Sequence, residues 1–288
     1  MLHEVAHVLE HGFLDTLKLL PFLFLAYFLM ELLEHKAGER VENIVQKSGR
    51  IGPLWGAALG LLPQCGFSTA AAGFYAGGVI TTGTLLAVFL ATSDEMLAVF
   101  IGRRISPWVI LAVLAIKLVT AAAVGFAADA LLHRRKSNAH VAELCRKEGC
   151  HCEQGVLRSA LRHTWRVGVF VLLINLTLEA LFAFVALESI VAFVQSVPFL
   201  GILVSALIGL VPSCAASVAI ATLYAEGVLS IGALLAGLLP GAGAGLLVLL
   251  RTHRNKREAL LLIAVLFAVG VAVGALAEFL GLDTLLQR

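Results

Sequence analysis

The chain has 288 residues, 60% of them hydrophobic and 14% charged, with a mean hydropathy of +0.95 and a formal net charge of +2. A soluble domain carries about a quarter charged residues, so these values exclude a water-soluble fold and place the chain in a bilayer. The small positive balance does not point to nucleic acid, because the basic residues sit in loops beside apolar runs, where they set membrane orientation.

At the start, His3, His7 and His11 recur every four residues on one face of a short helix; such spacing suits either cation chelation or an interfacial amphipathic helix. The first residues are acidic and His-bearing where a cleavable signal needs a basic region, so the first span is expected to be retained. Apolar runs at 13–33, 83–101, 107–131, 165–190, 229–250 and 258–281 are long enough to cross a hydrocarbon core of about 30 Å. Their Ala, Gly, Leu and Val content lacks the period-2 alternation of a barrel strand, so an all-α polytopic membrane fold is predicted. Segments 51–80 and 198–228 are too long for simple spans and are broken near Pro63 and Pro212.

Those two broken segments belong to an internal duplication. Residues 60–90 recur at 209–239, always 149 positions later, with 16 of 31 residues identical, among them Gly60/Gly209, Pro63/Pro212, Cys65/Cys214, Ser68/Ser217, Tyr75/Tyr224, Gly78/Gly227 and Gly83/Gly232. Duplicated halves with interrupted helices build midplane binding sites in transporters. If each broken segment makes a hairpin, the two halves are inverted, and 16 loop Lys and Arg share one side against Lys18, Arg103, Arg104 and Arg288 on the other. That bias predicts both termini outside and the linker in the cytoplasm. The expected organisation is two inverted repeats of about five membrane segments each, 1–131 and 165–288, joined by a linker at 132–164.

Within the membrane, Ser93, Asp94 and Glu95 lie near the middle of the span 83–101, where an ionised carboxylate costs roughly 2.5 to 3.5 kcal/mol and calls for a partner. The matching stretch of the second half, Gly241 to Ala244, has no polar side chain. Lys117 is about 15 Å into its span, too deep to snorkel, and needs a counter-charge. Asp94 or Glu95 could supply it, either as a cation- or proton-gated switch or as a structural pair. Its counterpart is Leu266. Glu31 and Glu179, with Asn175 one turn before the latter, are further candidates as ligands or proton carriers, although Glu31 could also be solvated. The hairpin tips would bring Gln64, Cys65, Ser68, Ser213, Cys214 and Ser217 together at the midplane, with core packing the alternative for the two thiols.

The linker carries Cys145, Cys150, His151 and Cys152, which suit Zn²⁺ or another thiophilic ion better than a disulfide in a reducing compartment; a disordered polar linker is the plainer reading. No GxSxG, Walker or HExxH motif is present, so hydrolytic and ATP-driven chemistry has no visible apparatus.

The paired Pro-x-Cys segments, Ala91 to Met96, Leu20-Pro21-Phe22-Leu23 through Glu31-Leu32-Leu33-Glu34-His35, and the Cys/His linker running into Ser159 to Thr164 resemble the ten-span heavy-metal exporter family. Its members are labelled arsenic efflux protein or manganese transporter. The resemblance covers nearly the whole chain and implies an inorganic-ion exporter of a prokaryotic inner membrane. Four carboxylates suit a hard divalent cation such as Mn²⁺, whereas Cys65 and Cys214 favour arsenite or an organoarsenical. The expected function is therefore secondary active export of a Mn²⁺-like cation, with arsenical efflux as the alternative and an intramembrane Asp94/Glu95 enzyme as a remote third. No cofactor is expected to be required, the partners are the ion and the lipid bilayer, and a homo-oligomer is compatible with the chain.

Overall fold

The protein is described by a computed structural model over residues 17, 20, 21, 24, 25, 28, 51–62, 65–92, 96–131, 156–184, 198–253 and 255–283. Residues 17, 20, 21, 24, 25 and 28 are helical, within the first predicted span. The helices that follow in the first repeat are α1 (Gly52–Gly60), α2 (Cys65–Ala76), α3 (Thr82–Ala91), α4 (Met96–Gly102) and α5 (Pro107–Leu131). The second repeat supplies α6 (Val156–Phe184), α7 (Pro198–Gly209), α8 (Cys214–Ala225), α9 (Ile231–Leu238), α10 (Ala244–Thr252) and α11 (Lys256–Phe279). Proline opens α5 and α7 and lies in the first turn of α1, where its missing N–H is no loss.

Helix directions follow from close glycine contacts. Gly52 lies on Thr84, Gly56 on Thr84 and Val88, and Gly60 on Val88 and Ala91, so α1 and α3 run parallel at one level. The chain must return between them, which makes α1 and α2 the two arms of a hairpin. At 1.5 Å per residue the arms are about 14 and 18 Å long, so the hairpin turns back near mid-depth. Gly83 meets Gly125 and Asp129, so α5 runs antiparallel to α3. The second repeat copies this pattern: Gly209 sits on Gly237, and Gly232 on Gly274 and Glu278.

The two repeats are inverted and interlocked. Gly245 at the start of α10 abuts Ser68 near the start of α2, while Tyr75 and His253 stack at the far ends with ring centroids 5.1 Å apart. Hence α2 and α10 run parallel, and since α2 opposes α3 while α10 prolongs α9, α9 opposes α3. The symmetry-related pair α8 and α4 is also packed. Each repeat thus has a tight trio, α1/α3/α5 or α7/α9/α11, and a second hairpin arm that packs both on its own repeat and on the opposite one.

One expectation is corrected. The spans predicted as unbroken at 83–101 and 229–250 are each split. α3 ends at Ala91, Thr92 leaves helical geometry at φ −50°, ψ 123°, and the next described helix opens at Met96. α9 ends at Leu238; Pro240 cannot donate to the ladder, and Gly243 takes φ 52°, ψ −143°, a conformation that L residues avoid. In addition, α6 reaches back to Val156, into the stretch read as linker.

Small residues permit the close approach within each trio. A Cβ on Gly60 would stand 2.6 Å from the Val88 carbonyl, and one on Gly125 would stand 2.7 Å from that of Gly83. Such small-residue seams are the usual way membrane helices pack, because lipid gives apolar faces little reason to associate. Trp55, Trp108 and Trp165 are instead outward and largely exposed. Gly78 and Gly227, duplicated in sequence, take φ 72° and 73° in matching turns after α2 and α8.

Candidate ion site at the helix breaks

The ends of the first-arm and broken-span helices gather at mid-depth. Gly60 closes α1 against the end of α3; Gly209 closes α7 against Gly237 in α9. Between these clusters lies Lys117, on the buried stripe Val109, Val113, Lys117, Ala121 and Gly125 of α5. It is 0% exposed. Its Nζ donates to the Thr92 carbonyl, beyond the end of α3, and at 3.0 Å to the Leu238 carbonyl, the last residue of α9. The two carbonyls come from oppositely directed helices of different repeats.

Helix C-termini carry unsatisfied carbonyls and about half a negative charge each, so two facing C-termini make a site for a cation. Thr92 uses its own hydroxyl to bond the Val88 carbonyl at 2.7 Å, which leaves its main-chain oxygen directed to the lysine. The equivalent of Lys117, Leu266, is also fully buried but brings no charge. A single ammonium therefore serves a place where two helix ends converge.

Some of the other sequence candidates lie among the described residues. Ser68 is 0% exposed, and its backbone packs on Gly245 of the other repeat. Ser213 is buried, and its Oγ accepts from Ala215 N at 3.2 Å as the cap of α8. Ser217 donates to the Cys214 carbonyl at 2.9 Å, so its hydroxyl serves its own helix. Cys214 is half-buried in the first turn of α8. Cys65 opens α2, but its side chain lies outside the described residues, as do those of Asn175 and Glu179 on α6. Gln64, Ser93, Asp94, Glu95, Glu31, the histidines 3, 7 and 11, and Cys145, Cys150, His151 and Cys152 also lie outside them. Among the described residues no group of three or more His, Cys, Asp or Glu converges as a metal cage.

Three carboxylates that the sequence reading passed over fix the outer ends of the broken spans. Asp129 on α5 accepts from Thr81 Oγ1 at 2.7 Å and from Gly83 N at 2.8 Å, while Thr81 Oγ1 accepts from Thr84 N at 3.1 Å. In the second repeat Glu278 on α11 accepts from Ser230 Oγ at 2.6 Å, and Ser230 Oγ accepts from Ala233 N at 3.2 Å. Asp283 takes Ile231 N at 2.9 Å. Carboxylates at helix N-termini are favourable, and the 149-residue offset relates both Thr81 to Ser230 and Asp129 to Glu278. The repeat alignment was the signal that could have found that pair.

The crossed half-helices are closed at both ends by paired side chains. On one side Tyr75 stacks on His253, whose Nε2 is 3.1 Å from Glu258 Oε2. On the other, Phe100 and Tyr224 rings are 5.7 Å apart, and Arg103 Nη2 is 3.0 Å from Glu226 Oε1. Tyr75 and Tyr224 are repeat equivalents.

Inverted repeats with helix breaks at mid-depth, in a helical, multi-pass membrane protein, are an architecture found among membrane transporters. Residues 2–185 and 152–288 match the family described as "Putative, 10TM heavy-metal exporter", and the chain belongs to that family. No curated protein and no solved structure matches it.

Proposed function

We propose that the protein is a secondary active exporter of a divalent, Mn²⁺-like cation, which enters between the inverted repeats, is held at the helix breaks, and leaves as protons or another ion return. The observation that carries this reading is the meeting of two oppositely directed helix C-termini, through the Thr92 and Leu238 carbonyls, on a buried positive charge. Oxygen donors of this kind suit a hard cation. Asp94 and Glu95 follow Thr92 by two and three positions in the sequence, so they are assigned to the same proposed site, with Ser93, Glu31, Asn175 and Glu179 as further polar groups along the proposed pathway. No catalytic role is assigned to them.

The membrane proposed is the prokaryotic inner membrane, with both termini outside and the Cys145, Cys150, His151 and Cys152 linker capturing thiophilic metal on the cytoplasmic face. Flux in vesicles across a panel of metals tests the reading. Asp94→Asn is expected to cut Mn²⁺ flux by about tenfold or more, the loss of one charged ligand in a dry site; unchanged flux sinks Asp94 as a ligand. The rival substrate, arsenite or an organoarsenical, is favoured by Cys65 and Cys214 opening the two second arms at mid-depth. Arsenic resistance that survives the Cys65→Ser, Cys214→Ser double change would remove that rival.

A further inference from the structure

Lys117 does more than fill a buried place. Its ammonium spans the two repeats, bonded to Thr92 O in its own repeat and to Leu238 O in the other. Both acceptors are main-chain oxygens released by helix breaks, the same kind of donor that lines hard-cation sites. Leu266, its buried repeat equivalent, shows that packing at this position does not need an amine. What the amine adds is positive charge at the point where two C-terminal ends face each other.

We propose that the Lys117 ammonium is the resident cation of this carbonyl site, and that the exported divalent cation takes Thr92 O and Leu238 O as two of its ligands when the lysine withdraws. The inference rests on the cation-export reading above and adds the identity of the site's oxygens and of its occupant between transport events. While the ammonium is seated, α3 and α9 are tied together across the repeat boundary. An arriving ion replaces that tie by its own coordination of the same two oxygens, so loading of the ion and withdrawal of Lys117 become one event. The site favours a small hard cation, because main-chain carbonyls offer oxygen and no soft ligand.

The test is Mn²⁺ binding by titration to full-length, detergent-purified protein. A competitor that occupies a site nine-tenths of the time weakens apparent affinity about tenfold. Lys117→Met is therefore expected to bind Mn²⁺ about tenfold or more tightly than wild type, and Lys117→Arg to stay near or below wild type. In Lys117→Ala, millimolar methylammonium is expected to compete with Mn²⁺, which it does not do in wild type. A lysine with a merely structural role predicts neither effect. In wild type, Mn²⁺ should raise the labelling of Lys117 by a small amine-reactive reagent, read by mass spectrometry; this readout stands if the neutral variants do not fold. Wild-type Mn²⁺ binding with unaltered affinity in Lys117→Met, or with Lys117 labelling unchanged or lowered by Mn²⁺, overturns the proposal and leaves the export reading standing. Absence of Mn²⁺ binding in both wild type and variants overturns both.

Discussion

Asp129 and Glu278 show how a carboxylate in a membrane protein can be structural. Each sits at the N-terminal end of a broken-span helix and takes a hydroxyl proton from the capping residue, Thr81 or Ser230. Removing either leaves a half-buried hydroxyl and a positive helix end without that acceptor. Asp129→Ala and Glu278→Ala are each expected to lower stability by about 1 to 2 kcal/mol, measured as earlier thermal unfolding in detergent. Metal preference in a flux assay should not change. Their partial exposure keeps the cost in that range. At this scale the sequence was informative about Lys117 and silent about its two main-chain partners. A lysine deep in an apolar span announces a need for negative charge, which led to Asp94 and Glu95. The described acceptors are main-chain oxygens, which no side-chain pattern displays, and they come from residues 25 and 121 positions away.

Among the elements, the half-helices are the parts whose continuity hydropathy failed to report. An average over 83–101 or 229–250 measures how deep a segment sits, and a deep segment can still be broken. The second break was nonetheless written in Pro240, Gly241 and Gly243. The first has no proline, and its break begins at Thr92. The hairpins were legible because Pro63 and Pro212 interrupt segments too long for one crossing, and the parallel run of α1 and α3 bears this out. Closure of the crossed half-helices could not be read in advance, because Tyr75 with His253 and Phe100 with Tyr224 join residues from different repeats. Alternating access requires these two ends to part in turn. A disulfide formed between Tyr75→Cys and His253→Cys, or between Phe100→Cys and Tyr224→Cys, should therefore stop flux, and reduction should restore it. Full flux with either cross-link in place would show that the half-helices do not separate.

For the whole molecule, the inverted arrangement follows from packing directions alone, independently of the charge count that first suggested it. Residues 103 and 226 share one end, and residues 75 and 253 share the other. The fold class was readable because a 149-residue period fixes the repeat and proline fixes the hairpins; the exchange of arms was not, since it depends on which small residues meet. That exchange means each second arm is covered partly by the opposite repeat: α2 docks on α10 as well as on α3, and α8 on α4 as well as on α9 and α7. Two polypeptides divided within the linker, between residues 132 and 155, should regain flux only when produced together, and each alone should be cleared by membrane proteases. Flux from either half alone would contradict the interlock.

The same exchange says something about descent. A single ancestral half, possessing one hairpin and one broken span, would have covered the remaining face of its second arm by meeting another copy of itself upside down. The forebear implied is a short protein inserted in both orientations and working as an antiparallel pair. Gene fusion then fixed one copy each way, and only after that could one helix acquire a lysine where its twin kept leucine.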